Sequence, residues 1–213
     1  MTGRTVPDEY LEPLSSAEVE TKVRRSIFIA RLDPCRTEGE ARTALARVQA
    51  AHRDATHNCW ACLLGPDPVV EFSSDAGEPS GTAGRPILGA LKRSGMVNLV
   101  VVVTRYFGGV KLGVRGLIEA YGGVADLAVA AACPVRRVLS HPLSVRLLYP
   151  AIGPVTRLLE DWGAGEGAQW TYGEEVLVRA RVPRSRAAGL AAALSEMAAC
   201  GSVLEWRDEG PPS

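Results

Sequence analysis

Asn98-Leu-Val-Val-Val-Val-Thr104 runs directly into Arg105-Tyr-Phe-Gly-Gly-Val-Lys-Leu-Gly-Val-Arg-Gly116, and this junction decides the fold. A run of that length, almost wholly valine and leucine, predicts a strand buried on both faces. The glycine-rich stretch Arg105–Gly113 reads as a loop. It opens a helix to about Ala132 whose alanines and glycines allow close packing. In an open α/β sheet, ligands favour this strand–loop–helix position.

Upstream, Ser74-Asp-Ala-Gly-Glu-Pro-Ser-Gly-Thr-Ala-Gly-Arg85 is a second polar, glycine-rich loop. A helix follows to about Ser94, with Pro86 tolerated in its first turn and Gly95 as its stop. His57–Leu64 and Val69–Phe72 read as strands joined by the turn Gly65-Pro-Asp-Pro68. Thr37-Glu-Gly-Glu40 has the form of a capping box. It opens a helix with Ala41, Ala44, Leu45 and Val48 at helical spacing. Lys22–Leu32 reads as one strand, and the polar residues 1–20, with Pro7 and Pro13, as a loose lead-in.

Downstream, residues 136–142 read as a linker, 143–208 as a second domain and 209–213 as a tail. The first domain is then 21–135. In the second domain Val176, Val178, Ala180 and Val182 alternate with Leu177, Arg179 and Arg181, the period of a half-buried strand. Helical patterns at Ile152–Trp162 and around Leu190–Met197 sit among four strand segments. The order is βαββαβ, the ferredoxin-like arrangement. The fold class is α+β.

The chain has 213 residues, 46% hydrophobic and 23% charged, with 24 basic against 24 acidic side chains. Zero net charge argues against a globally basic nucleic-acid binder and leaves room for a local basic patch. No uncharged apolar run approaches the roughly 18 residues of a membrane span. The start lacks a secretory signal, and five scattered cysteines fit a reduced, cytoplasmic chain better than a disulfide framework.

Two loops carry the candidate chemistry. In Ser74–Arg85, Asp75, Glu78, Ser80, Thr82 and Arg85 stand among three glycines, ahead of a helix N-terminus that attracts anions. The same residues also suit a plain turn that caps the next helix. In Arg105–Gly116, Arg105, Lys111 and Arg115 suit phosphate or carboxylate groups. The spacing is neither that of a phosphate-binding P-loop nor of a dinucleotide fingerprint, so no cofactor is expected. His57-Asn-Cys-Trp-Ala-Cys62 suggests zinc, redox or nucleophile chemistry. Without a second C-x-x-C, and inside a strand, Cys59 and Cys62 read as buried small hydrophobes, and no metal is expected. Arg146, Arg179, Arg181 and Arg207 fall where RNA-recognition sheets place aromatics, with Trp170 and Tyr172 on the other hairpin arm. A face packed on the first domain with arginines at its rim gives the same pattern, and is the reading favoured.

VRRSIFIA, HNCWA, SSDAGEPSGTAGRPIL and VVVTRYFGGVKLG, in that order, resemble the YigZ/IMPACT family over about Val23–Ala132. The resemblance implies a first domain like the ribosomal protein S5 type found in translational GTPases, and a smaller ferredoxin-like second domain. It carries over motif positions including His57, Asp75, Glu78, Ser80, Thr82, Arg85, Arg105, Tyr106 and Lys111. Eukaryotic relatives regulate translation under amino-acid stress by binding a partner of an initiation-factor kinase. No catalytic activity comes with the bacterial members. Val114-Arg115 and Glu119 depart from the family pattern and move a positive charge towards the helix start.

Two functions follow from these readings. One is a regulatory or binding protein of translation that contacts RNA, the ribosome or a translation factor through the loops, with Arg85, Arg105, Lys111 and Arg115 as contacts. The other is an enzyme on a small phosphorylated or acidic substrate, with Asp75, Glu78 and His57 as acid–base groups.

Overall fold

Strand β6 (Leu99–Tyr106) is the middle of a five-stranded sheet and is buried along almost its whole length. The structure, a computed structural model, describes residues 8–210. Before β6 come β1 (Glu9–Pro13), β2 (Ala17–Val23), β3 (Ser26–Pro34), α1 (Glu38–Ala51), β4 (His57–Leu64), β5 (Val70–Ser74) and α2 (Gly84–Ser94). After it come α3 (Gly113–Ala131) and β7 (Pro134–Val138). The sheet order is β2-β3-β6-β4-β5, with every neighbouring pair antiparallel. The unbroken apolar run of β6 therefore reflects helices on both faces and not parallel pairing.

Period-2 alternation sorts the side chains between those faces. Leu99, Val101 and Val103 join Phe28, Ala30, Leu32, Cys59 and Ala61 under α2 and α3, with Ile87, Leu91 and Tyr121. Val100 and Val102 join Cys62 and Leu64 under Ala41, Ala44 and Val48 of α1.

Several expectations are corrected. Residues 9–13 and 17–20, read as lead-in, lie in strands: β1 pairs with β7 in a two-stranded ribbon, and β2 edges the main sheet. Lys22–Leu32 is not one strand. A turn at Arg24, whose φ of 52° is left-handed, splits it between β2 and β3. The stretch 136–142 is no free linker, because β7 and the next strand occupy nearly all of it. The box at α1 forms in half: the Glu40 N–H donates to Thr37 Oγ1 (3.2 Å), but the Glu40 carboxylate takes the N–H of Arg36 instead of Thr37 (2.6 Å).

Tyr10–Arg137 forms one unit, and Val138–Gly210 forms the other together with Asp8 and Glu9. In the second unit, Leu139 N–H donates to the Asp8 carbonyl (2.6 Å), and the Asp8 carboxylate takes bonds from Ser185. Its elements are β8 (Ser140–Leu147), α4 (Ile152–Asp161), β9 (Gln169–Tyr172), β10 (Val176–Pro183), α5 (Ala187–Ala199) and β11 (Val203–Asp208). The order β11-β8-β10-β9, antiparallel throughout, is the split-βαβ arrangement. Val145, Leu147, Val178, Val182, Leu190 and Leu194 fill its core. Among the described residues no helix is long and apolar enough to cross a membrane.

Candidate functional site

Register builds the site. Arg105 lies opposite Phe28 on β3 and opposite His57 on β4, so these three side chains leave the sheet on the face covered by α2 and α3. Arg105 therefore belongs to the end of β6 and not to the loop expected for it. It is only 5% exposed. Its Nη1 donates to Glu78 Oε1 at 2.6 Å and its Nη2 reaches Ser26 Oγ at 3.4 Å. The guanidinium carbon stands 5.5 Å from the Phe28 ring centre and 5.4 Å from that of Phe107. Its Nε is buried and has no hydrogen-bond partner among the described residues.

Glu78 is buried as well, and the Tyr121 hydroxyl donates to the same Oε1 at 2.8 Å. Burial first, then the neighbouring Cys59 and Glu78, push the Tyr121 hydroxyl far above its ordinary value. His57 Nε2 stands 3.9 Å from Glu78 Oε1. His57 Nδ1 is 3.0 Å from the Ala76 carbonyl. A carbonyl only accepts, so the proton sits on Nδ1 and Nε2 is left towards Glu78.

Asp75 is the staple of its loop. Oδ1 accepts the N–H groups of Ala83 (2.9 Å) and Gly84 (2.8 Å), and Oδ2 accepts that of Gly81 (2.8 Å). Burial raises the Asp75 carboxyl, but these backbone donors, with Arg85 nearby, outweigh it and hold the group below its ordinary value. Gly84 is required for close approach: a Cβ there would meet the backbone of Ser74 at 2.9 Å. The loop's glycines thus serve the protein's own packing at this point.

A cleft of about 470 Å³ opens above this floor. His57, Glu78 and Arg105 line its base, Lys111 stands at one side, and Phe107, Leu112, Val114 and Leu117 give it an apolar wall. Leu112, Val114 and Leu117 belong to the start of α3, and Phe107 to the loop that leads into it. That helix has no side-chain cap and no acidic residue in its first turn, so its leading N–H groups keep their pull on anions. Among the described residues, no hydrogen bond or ion pair occupies the exposed Lys111 ammonium. A smaller cavity of about 250 Å³ in the second unit, beside Trp206 and Ala191, has only the His141–Asp208 pair as charge.

Of the ten residues expected to form the site, His57, Glu78, Arg105 and Lys111 meet in the cleft, and Asp75 shapes the loop beside it. The others lie elsewhere. The buried Thr82 hydroxyl donates to the Pro79 carbonyl (2.6 Å), a turn bond. Ser80 and Arg85 are exposed and do not line the cleft. Tyr106 faces the α1 side, its hydroxyl 2.9 Å from His52 Nδ1. Arg115, 93% exposed, pairs with Glu119 at 2.8 Å along the outside of α3. Sequence reading missed Phe107, Leu112, Val114, Leu117 and Tyr121. The helical spacing of Val114, Leu117 and Tyr121 was the available signal.

Cys59 and Cys62 fall on opposite faces, as the strand period requires. Burial pushes the Cys59 thiol up to about 12 and the Cys62 thiol to about 11, which leaves both inert at neutral pH. All five cysteines are free, and no metal-holding cluster occurs among the described residues.

The family model of the Impact N-terminal domain matches residues 24–129, which contain every residue of the cleft. IMPACT family member YigZ of Escherichia coli K12 is 33% identical over 193 residues, 89% of this chain and 93% of that relative. The chain belongs to the IMPACT family. Another member, YvyE of Bacillus subtilis, is 36% identical over 152 residues, 71% of this chain and 70% of YvyE. An IMPACT family member of Thermus thermophilus is 44% identical over 139 residues, 64% of this chain and 73% of its own length. Among solved structures, one described as a hypothetical protein superposes with a TM-score of 0.67 at 29% identity, covering 96% of this chain and 99% of its own.

Proposed function

We propose that this IMPACT-family protein is a translation-associated binding protein that contacts RNA, the ribosome or a translation factor through the cleft of its first unit. One observation carries the reading: the unpaired Lys111, the buried Arg105 and the uncapped start of α3 converge on a single opening. A positive, partly apolar opening suits phosphate-bearing or acidic partners. The family resemblance supplies the link to translation.

The acid–base alternative fares worse on geometry. Asp75 is consumed by three backbone bonds, and Glu78 is locked against Arg105 and Tyr121. Only His57 Nε2 keeps a position from which to move a proton.

The test is a titration of labelled single-stranded RNA and of purified ribosomes at rising salt. Binding at low salt, weakened several-fold by Lys111→Ala, is the expected result. No binding of either at low salt, or an unchanged affinity in Lys111→Ala, rejects the reading.

A further inference from the structure

We infer that the cleft is a pocket for one nucleotide with a terminal 5′-phosphate, either free or at the end of an RNA chain. This rests on the reading of the cleft as the binding surface and names what enters it. A volume of about 470 Å³ lies within the roughly 300–1,000 Å³ of small-ligand pockets, and most of its lining is apolar with a few convergent polar groups. A groove that tracks an RNA backbone is built otherwise, as an extended cationic trough.

The polar groups select the head. Arg105 gives one N–H of Nη1 to Glu78 and one of Nη2 to Ser26, which anchors its guanidinium in the floor of the cleft as a fixed positive charge. The donors open to a ligand above that charge are single ones: the exposed Lys111 ammonium and the leading N–H groups of α3. Single donors from several directions match a tetrahedral dianion better than a planar carboxylate. The apolar wall selects the body. Leu112, Val114 and Leu117 line it, and Phe107, 46% exposed, offers its ring at the mouth. Bases stack on such rings.

Binding of AMP, adenosine and inorganic phosphate to the full chain is measured by calorimetry. Binding of one short oligoribonucleotide with a 5′-phosphate or a 5′-hydroxyl is measured by fluorescence anisotropy. Two variants accompany the wild type, Lys111→Ala and Val114→Asp. Val114 is 61% exposed in the first turn of α3, where an acid suits the helix and repels an anion, so folding is preserved while the site is blocked. The expected result is AMP at least about tenfold tighter than adenosine, and 5′-phosphate RNA at least about tenfold tighter than 5′-hydroxyl RNA. Both variants erase these differences. If AMP discriminates but the two RNAs do not, the pocket takes the free nucleotide and the inference stands. It is overturned if the two RNAs bind equally and AMP does not compete, or if inorganic phosphate competes as well as AMP. In the first of those cases RNA binding itself survives, so the broader reading holds while this one fails. Loss of all binding removes both.

Discussion

Arg105 and Glu78 form an ion pair with side chains only 6% and 4% exposed. At such a site the cost of losing one partner exceeds the worth of the pair, because the survivor stays buried and charged. Arg105→Met is expected to cost about 3–5 kcal/mol in urea unfolding, and Arg105→Met with Glu78→Leu to cost clearly less. A double variant weaker than the single one contradicts this account. The alternation along β6 is legible in the sequence itself: Arg105 and Tyr106, adjacent on a strand, must face opposite sides. Assigning both to a loop hid that, and with it the separation of Tyr106 from the site. His57 beside Arg105 was not legible, since it depends on the register of β4 against β6, which no local pattern sets.

Elements meet where a side chain would not fit. A Cβ on Gly108 would lie 1.8 Å from the carbonyl oxygen of Arg25, so the β2–β3 turn and the loop after β6 touch backbone to backbone. Gly109, at φ +81°, has nothing within 4 Å of its would-be Cβ. The two neighbours therefore separate steric from conformational cost. Gly109→Ala is expected to cost about 1–2 kcal/mol, as a left-handed alanine does. Gly108→Ala forces the turn and the loop apart and costs more, with loss of AMP and RNA binding as the cleft wall shifts. Equal unfolding midpoints for the two variants refute the distinction. The turn itself escaped sequence reading because Arg24-Arg25 carries no glycine, asparagine or aspartate. Strand β2 was legible in principle, since Ala17, Val19, Thr21 and Val23 alternate with Glu18, Glu20 and Lys22, but charge on an edge strand resembles a polar lead-in. The strand and helix order of the second unit is legible in its sequence pattern. Strand β10 alternates cleanly because one sheet face is packed and the other is not.

Across the molecule the charges sum to zero, with 24 basic against 24 acidic side chains. The open sheet face of the second unit gathers Arg146, Arg179, Arg181 and Arg207. Arg181 donates to Ser140 Oγ at 2.8 Å. The other three are paired with carboxylates: Arg146 with Glu175 and Glu205 at 3.2 Å, Arg207 with Glu205 at 2.7 Å, Arg179 with Glu209 at 3.8 Å. Exposed pairs of this kind add little stability, yet they leave little positive field to draw a polyanion. The cleft differs in holding the unpaired Lys111 beside the buried Arg105. Each phosphate neutralised on a single strand contributes about −0.7 to the slope of log K against log salt. A pocket that engages one or two phosphates predicts a slope of about −0.7 to −1.4, and Arg146→Ala leaves both slope and affinity unchanged. A basic surface spread over the second unit predicts a steeper slope that Arg146→Ala reduces. RNA titrations across a series of salt concentrations, with wild type, Lys111→Ala and Arg146→Ala side by side, separate the two: the slope counts the phosphates engaged, and the variant that lowers it tells which surface engages them.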